Sequence, residues 1–220
     1  MRTVDPTRIV QKGYDDLDDT YRRWVEHTRG GYRSTFLARI LAEVPEGADV
    51  LEIGCGPGTD AAAIAEGRRY VGIDLSEVQL AHARAVAPTG RFLHGDVLDA
   101  PFSPASFDAV VSFYARNHIP QSRMGLLFRR IGSWLRPRGR LFGSFGTSDN
   151  PGGVEPAWLG KTDMYFSSLP VDRTEALLEQ VGFSIEFADT VTELEEGEGP
   201  ATFHWVIARK RWGEGVQCSK

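Results

Sequence analysis

The chain contains few cysteines and no long apolar run. Only Cys55 and Cys218 occur among its 220 residues, which is neither a disulfide framework nor a zinc pattern, so we interpret both as free thiols. No stretch approaches the length of a membrane span, and the first residues lack the apolar core of a leader. We therefore expect a cytoplasmic protein with no membrane partner and no bound metal.

Basic residues are too few to suggest a surface that binds nucleic acid. The 25 lysines and arginines are outnumbered by 30 acidic residues, and no basic cluster is interleaved with aromatic residues. We expect a small-molecule ligand and no nucleic-acid partner. No internal repeat or linker indicates a second domain, so residues 1–220 are predicted to form one domain, as a monomer or a homodimer.

Strand and helix patterns alternate along most of the chain. Apolar strands are predicted over residues 50–53, 70–73, 92–94, 107–112, 140–145, 183–188 and 202–208, with amphipathic helices between most of them. This alternation predicts an α/β fold with a doubly wound sheet and helices on both faces, whose ligand lies beyond the carboxyl ends of the strands.

Three stretches depart from that alternation. Residues 146–170 are rich in Gly, Pro, Ser and Asn, and we predict a loop, which at this length is usually functional. Residues 193–198 are predicted to be a solvated acidic loop, and residues 211–220 a frayed tail.

The stretch from Asp49 to Thr59 reads Asp-Val-Leu-Glu-Ile-Gly-Cys-Gly-Pro-Gly-Thr and predicts a buried strand, a glycine loop and the start of a helix. Side chains at Gly54, Gly56 and Gly58 would hold the backbone away from a ligand, while the first N–H groups of a helix are unpaired and point outward. The stretch therefore predicts a site for a polar, nucleotide-like ligand.

Acidic residues after the next two strands narrow the choice of ligand. Asp74 lies twenty positions after Gly54 (74 − 54) at the end of a predicted strand, where a carboxylate can bind both ribose hydroxyls. Asp96 is suitably placed for an adenine amino group. Thr59 stands where the dinucleotide fingerprint requires glycine, and no P-loop lysine follows, so pyrophosphate and triphosphate are disfavoured.

Five motifs in this order resemble those of the class I S-adenosylmethionine-dependent methyltransferases: Val50–Gly58, Val71-Gly-Ile-Asp74, Gly95-Asp96-Val97, Ser106–Phe113 and Leu135-Arg-Pro-Arg-Gly139. The resemblance implies a Rossmann-like sheet of seven strands with the last strand antiparallel, and S-adenosyl-L-methionine as cofactor. It implies cofactor contacts from Glu52, Gly54, Cys55, Gly56, Gly58, Asp74, Leu75, Asp96, Val97, Ser112, Phe113 and Tyr114.

The segment Arg116-Asn117-His118-Ile119-Pro120 resembles Leu-His-His-Ile-Pro, which follows the fourth strand in many family members. His118 is the candidate general base or orienting residue, because histidine titrates near neutral pH; the alternative is a structural hydrogen bond to the backbone. Asn117 replaces the first histidine and is assigned to the substrate pocket. Arg116 is predicted either to bind an acidic group of the substrate or to form an exposed salt bridge.

Two further segments resemble a bacterial small-molecule branch of this family: Gly13-Tyr14-Asp15 with Tyr21, and Trp158-Leu159-Gly160 with Met164-Tyr165-Phe166-Ser167. The resemblance implies that residues 1–31 form a lid and that residues 146–170 lie on the substrate side. We expect Tyr14, Tyr21, Trp158, Tyr165 and Phe166 to line the acceptor pocket, with a satellite hydrophobic cluster as the alternative.

The resemblance implies methyl transfer to an oxygen or nitrogen atom of a small molecule, with a place in bacterial secondary metabolism. Two alternatives remain: an NAD(P)-dependent oxidoreductase on a similar sheet, and a protein that binds S-adenosylmethionine without methylating. One fold hosts many chemistries, so the fold does not choose between them.

Overall fold

The computed structural model describes residues 5–28, 31–195 and 199–211. A seven-stranded sheet forms the centre, in the order β3-β2-β1-β4-β5-β9-β8. The strands are β1 (Asp49–Ile53), β2 (Arg69–Asp74), β3 (Arg91–His94), β4 (Phe107–Ser112), β5 (Leu135–Phe145), β8 (Phe183–Glu195) and β9 (Gly199–Lys210). Strands β1 to β5 are parallel, whereas β9 runs antiparallel to both of its neighbours, β5 and β8. The predicted seven-stranded sheet with an antiparallel last strand is confirmed.

Helices cover both faces of this sheet, as the alternation of strands and helices predicts. They are α1 (Pro6–Leu17), α2 (Asp19–Thr28), α3 (Gly31–Glu43), α4 (Ala61–Ala65), α5 (Glu77–Val86), α6 (Gln121–Trp134) and α7 (Val171–Gln180). None of the described helices combines the length and apolarity that a bilayer crossing requires.

Neighbouring residues of one strand supply the two opposite cores. Leu51 of β1 belongs to the cluster that contains Phe128 of α6, whereas Val50 belongs to the cluster that contains Ile40 of α3 and Ile64 of α4. All five side chains are fully buried, and each contributes about 1.5–3 kcal/mol from burial alone. Because β1 is apolar on both faces, it lies at the centre of the sheet and fixes the position of the glycine loop that follows it.

Residues 146–170, predicted as a loop, instead contain a two-stranded hairpin of β6 (Asn150–Trp158) and β7 (Thr162–Ser168). The Gly and Pro residues of β6 hid this strand from the sequence pattern, yet they are tolerated in an exposed edge strand with register shifts. Strand β7 packs against α1 and against a short 3-10 helix, Ala115–His118. The hairpin thus lies beside the carboxyl ends of the parallel strands.

The end of β8 also differs from the prediction. Glu193 was assigned to an acidic loop, but it lies in β8, because the pairing of β8 with β9 continues beyond the residues that pair with β5. The Oε1 atom of Glu193 also accepts a hydrogen bond from the amide of Tyr32 at 2.7 Å. Residues 196–198 of that predicted loop lie outside the described residues. So do residues 1–4 and 29–30 of the predicted lid, and 212–220 of the predicted tail, with Cys218.

Candidate active site

Close packing against other elements shapes the glycine loop after β1. Gly54 and Gly58 have φ angles of 68° and 80°. A Cβ atom at Gly54 would lie 2.1 Å from the Cβ of Ala115, and one at Gly58 would lie 2.8 Å from the Cα of Ala83 on α5. Both positions therefore require glycine because other elements of the protein press against them.

Gly56 differs from its two neighbouring glycines because it faces open space. A Cβ atom there would come no closer than 3.7 Å to any atom, the Cε1 of Tyr21. Its amide donates to the Oδ2 of Asp74 at 2.8 Å, across from the loop. This bond joins the glycine loop to the carboxyl end of β2.

Asp74 is held by backbone donors on two sides. Its Oδ1 accepts from the amide of Ser76 at 2.9 Å, and Ser76 caps α5 by accepting from the amide of Gln79 at 3.1 Å. Burial raises the pKa of Asp74, while the amides of Ser76 and Gly56 oppose that rise. The carboxylate is consequently fixed in orientation at the end of the strand.

Asp96 occupies the corresponding position after β3. Its Oδ1 accepts from the amide of Leu98 at 2.8 Å, and its Oδ2 lies 3.4 Å from the Oγ1 of Thr7 on α1 and 3.7 Å from the Nη1 of Arg123 on α6. Three elements therefore meet at this carboxylate.

These groups open on one cavity at the carboxyl ends of the parallel strands. The predicted site residues on its wall are Tyr14, Tyr21, Gly54, Gly56, Asp74, Leu75, Asp96, Val97, Phe113, Tyr114 and His118. Charge on the wall is confined to Asp74, Asp96 and Arg123, at the end formed by β2 and β3. The rest of the wall is uncharged, and its rings come from α1, α2 and the residues after β4. Helix α1 spans both parts, because Thr7 contacts Asp96 whereas Tyr14 contacts His118.

The wall also contains residues that the sequence analysis did not assign: Thr7, Val10, Ile53, Ile73, Gly95, Leu98, Ala115, Ile119, Pro120 and Arg123. Thr7, Val10 and Tyr14 are spaced by three and four, so they share one face of α1, and this spacing was a usable signal. Arg123 lies in the first turn of α6, and nothing in the local pattern distinguishes it from a solvated arginine.

Four residues expected at the cofactor lie behind the wall. Glu52, Cys55 and Ser112 are buried, and Gly58 packs on α5. Glu52 accepts a hydrogen bond from the hydroxyl of Tyr70, and its burial raises its pKa to about 8. None of the four is on the cavity wall, and Cys55 and Gly58 belong to the glycine loop itself.

Arg116 corrects a prediction, because it forms neither an exposed salt bridge nor part of the cavity wall. Its side chain is buried, and its guanidinium lies 3.3 Å from the ring centroid of Phe145. Its Nη2 donates to the carbonyls of Ser112 and Ser144, at the ends of β4 and β5. Burial lowers the pKa of Arg116 well below its usual value. Arg116 thus joins two strand ends beneath the 3-10 helix.

Asn117 is also structural in its contacts. Its Oδ1 accepts from the amide of Gly146 at 3.1 Å, which anchors the 3-10 helix to the segment after β5. The residue that precedes this helix, Tyr114, has a φ angle of 60°, a left-handed conformation that costs a non-glycine residue about 1 kcal/mol. The left-handed conformation of Tyr114 changes the direction of the chain, so that the 3-10 helix lies against the cavity.

His118 makes a hydrogen bond through each ring nitrogen. Its Nδ1 lies 2.8 Å from the carbonyl oxygen of Tyr165, and its Nε2 lies 2.7 Å from the hydroxyl of Tyr14. A carbonyl only accepts, so Nδ1 carries the hydrogen and the Nε2 of the neutral ring accepts from Tyr14. Burial lowers the pKa of His118 to about 4, although the bond to Tyr165 opposes the shift.

The remaining predicted substrate residues form a layer behind Tyr14 and His118. The ring centroid of Trp158 lies 5.9 Å from that of Tyr14, and the centroid of Phe166 lies 5.0 Å from that of His118. Trp158 and Tyr165 are buried in a cluster with α1, and neither they nor Phe166 reach the wall. The satellite cluster that the sequence left as an alternative is therefore present, with Tyr14 and Tyr21 at its cavity side.

The site suits a nucleoside better than a metal or a pyrophosphate. Within residues 5–28, 31–195 and 199–211, no three histidine, cysteine, aspartate or glutamate side chains are grouped so as to hold a metal ion. Carboxylates accept hydrogen bonds from ribose hydroxyls and an amino group, whereas they repel phosphate. The Gly56 amide, a potential phosphate donor, is already bound to Asp74.

Comparison with known proteins gives a consistent result. Residues 50–139 match a family model described as a methyltransferase domain. The chain is 32% identical to an O-methyltransferase of Aspergillus nomiae, covering 69% of this chain and 74% of that protein. It is 28% identical to the 27-O-demethylrifamycin SV methyltransferase of Amycolatopsis mediterranei, covering 94% and 83%.

Other matches cover less of the related protein or concern the fold alone. The chain spans about half the length, or less, of several mycobacterial methyltransferases that it matches, between 31% and 54%. A solved structure of magnesium protoporphyrin IX methyltransferase from Synechocystis, with bound S-adenosylhomocysteine, has a TM-score of 0.69 at 17% identity. The match covers 94% of this chain and 100% of that one.

Proposed function

Since this chain belongs to the class I S-adenosylmethionine-dependent methyltransferases, we propose that it transfers a methyl group from this cofactor to an oxygen or nitrogen atom of a small molecule. The observation that carries the proposal is a single cavity with one charged end and one uncharged aromatic end. The charged end suits a nucleoside, and the aromatic end suits a flat acceptor of low polarity.

The residues at the charged end fit the cofactor. Each carboxylate oxygen has two lone pairs, so Asp74 and Asp96 retain acceptor capacity beyond their backbone bonds. We assign the ribose hydroxyls to Asp74 and the adenine to Asp96 with Val97, while Gly54 and Gly56 would border the methionine part. When bound, S-adenosylmethionine supplies a methyl group on a positively charged sulfur that leaves as a neutral thioether.

The contribution of the chain itself is alignment and exclusion of water, which can supply much of the acceleration in an in-line displacement. Helix α1 covers the cavity, and hydrogen bonds from α5 and its cap hold it there, two of them beside Tyr14. The Oγ of Ser76 donates to the Oδ1 of Asp15 at 2.6 Å, and the Nε2 of Gln79 donates to the carbonyl of Tyr14 at 3.1 Å. Tyr14 is thereby held against the acceptor end of the cavity.

The nicotinamide alternative is disfavoured by the same geometry. A pyrophosphate needs free backbone N–H groups or cations. Here the amide of Gly56 is bound to Asp74, and the single cation on the described cavity wall, Arg123, lies 3.7 Å from Asp96. The proposed cofactor requires neither group.

Calorimetric titration of the pure protein with S-adenosylhomocysteine and with NADH tests the cofactor, and binding of NADH alone would contradict the proposal. Incubation with methyl-labelled S-adenosylmethionine and a panel of phenols, alcohols and amines then tests transfer. Labelled product with release of S-adenosylhomocysteine is the expected result. An acceptor that is altered without that release would favour the non-methylating alternative.

Several finer points remain predictions. The O-methyltransferase among the relatives favours oxygen as the methylated atom. A place in bacterial secondary metabolism, a cytoplasmic location, and a monomeric or homodimeric state without nucleic-acid or membrane partners rest on the sequence alone.

A further inference from the structure

The hydroxyl of Tyr14 lies between the cavity and the imidazole of His118. Both residues are on the cavity wall, and 2.7 Å separates the Tyr14 oxygen from the Nε2 of His118. Because Nε2 already accepts from Tyr14, a proton can reach this nitrogen through the tyrosine hydroxyl. The Tyr14 oxygen also bonds to the side chain of Tyr21, and a lone pair remains with which it can accept a further hydrogen bond.

The second bond of His118 determines which nitrogen can receive a proton. The carbonyl of Tyr165 fixes the hydrogen on Nδ1, so that Nε2 presents its lone pair to Tyr14. The same carbonyl would stabilise the ring if Nε2 were protonated, because Nδ1 would still donate to it. His118 is thus oriented to take a proton on one atom only.

The surroundings keep this pair uncharged before reaction. The rings of Trp158 and Phe166 pack on His118 with centroid distances of 6.5 and 5.0 Å. Burial lowers the pKa of His118 and raises that of Tyr14, and the neighbouring Tyr21 and the charge of Asp74 raise the pKa of Tyr14 further. A neutral pair beside a cationic cofactor avoids the repulsion that an imidazolium would cause.

We propose that Tyr14 and His118 form a proton relay that serves an acceptor hydroxyl. The proposal rests on the methyltransferase function above. The O–H bond of the acceptor breaks and its electron pair stays on the acceptor oxygen, which forms the new bond to the methyl carbon while the carbon–sulfur bond breaks and its electron pair returns to sulfur. The proton goes to the oxygen of Tyr14, and the proton of Tyr14 goes to the Nε2 of His118, from which it passes to solvent after product release.

The low basicity of His118 is compatible with this role. An alcohol or phenol is a weak acid, but its proton becomes strongly acidic as the oxygen forms its bond to carbon. A base that is neutral beforehand and accepts the proton late is then sufficient. Tyr14 is accordingly the catalytic residue, and His118 acts through it as a positioning residue and proton acceptor. The relay makes hydroxyl compounds the substrate class.

Nitrogen-15 NMR of the imidazole, in the protein with and without S-adenosylhomocysteine, tests the relay without turnover. We expect hydrogen on Nδ1 and an unprotonated Nε2 at neutral pH, and a shift of the Nε2 resonance in Tyr14→Phe. Tyr32→Phe is the matched control, because it removes a hydroxyl that donates to Asp189 away from the cavity. A hydrogen on Nε2, or an Nε2 resonance indifferent to Tyr14→Phe, would overturn the proposal.

Kinetics with the phenol or alcohol that the labelled panel identifies form the second arm. Tyr14→Phe and His118→Gln should each lower kcat by about 10²- to 10⁴-fold with little change in KM, and the double variant should lose no more than one single variant. Wild-type kcat in either variant, or a panel that yields only amines, would contradict the relay. If the wild type does not bind S-adenosylhomocysteine, the proposed function is refuted, whereas the NMR result on the ligand-free protein still stands.

Discussion

The amide of Gly56 donates to the Oδ2 of Asp74 at 2.8 Å, so the glycine loop and the acid at the end of β2 form one unit. Predictions from the sequence assigned the two residues separate contacts with the cofactor. The structure shows that each also holds the other in place, since Asp74 is further fixed by the amide of Ser76.

Two replacements of Asp74 should weaken cofactor binding to different extents. Asp74→Asn keeps an oxygen for the Gly56 amide but removes the negative charge, whereas Asp74→Ala also leaves that amide without its acceptor. We expect about 10-fold weaker binding of S-adenosylhomocysteine for the first and about 100-fold for the second, in calorimetry. His118→Ala should change this affinity far less. Equal losses for Asp74→Ala and His118→Ala would mean that the two ends of the cavity are wrongly assigned.

Gly58 should stabilise the folded protein although it is not on the cavity wall. An alanine there has to adopt a left-handed φ and would place its Cβ 2.8 Å from the Cα of Ala83. Gly160 is the matched control, because it has a similar φ of 68° and a Cβ added there would meet no atom within 4 Å. In urea unfolding, Gly58→Ala should lower the free energy of unfolding by about 1–3 kcal/mol more than Gly160→Ala does. Similar decreases in the two variants would contradict this prediction, because they would show that the loop adjusts to the added Cβ without a loss of stability.

The sequence predicted those features that a local pattern determines. The apolar run at Val50, Leu51 and Ile53 placed β1, and the acids at the ends of β2 and β3 indicated the nucleoside end of the cavity. The spacing of Ser76 and Gln79 is that of a capping box, and the structure contains the corresponding bond from the amide of Gln79 to the Oγ of Ser76.

Features that depend on packing between distant segments were not predicted. Arg116 was expected either to bind an acidic group of the substrate or to form an exposed salt bridge, and only the fold brings Phe145 and two strand-end carbonyls to it. The bond between Tyr14 and His118 joins residues 104 positions apart, so no local spacing indicates it. The hairpin of β6 and β7 was hidden by Gly and Pro residues, which an exposed edge strand accepts.

His118 should make the folded protein sensitive to acid. The unfolded residue titrates near 6.5, whereas burial lowers the pKa in the fold to about 4, so the unfolded state binds more protons between these values. The stabilisation is complete above the unfolded pKa and is lost as the pH falls towards the folded one. Between pH 7 and pH 5, the free energy of unfolding in urea should therefore fall by about 2 kcal/mol more for the wild type than for His118→Gln. Parallel curves for the two proteins would show that the ring is protonated freely in the fold.

Gln79 should control the closure of α1 over the cavity. Its buried side chain donates through Nε2 to the carbonyls of Tyr14 and Asp18, both at 3.1 Å, at the end of that helix. Gln79→Glu places a carboxylate against the two carbonyl oxygens, whereas Gln79→Met, the matched control, removes the donor without adding charge. Loss of a buried hydrogen bond costs about 1–3 kcal/mol, so amide exchange in residues 6–17 should be about 10- to 100-fold faster in Gln79→Met and faster still in Gln79→Glu. Exchange as slow as in wild type would mean that the aromatic cluster around Trp158 holds α1 without this bond.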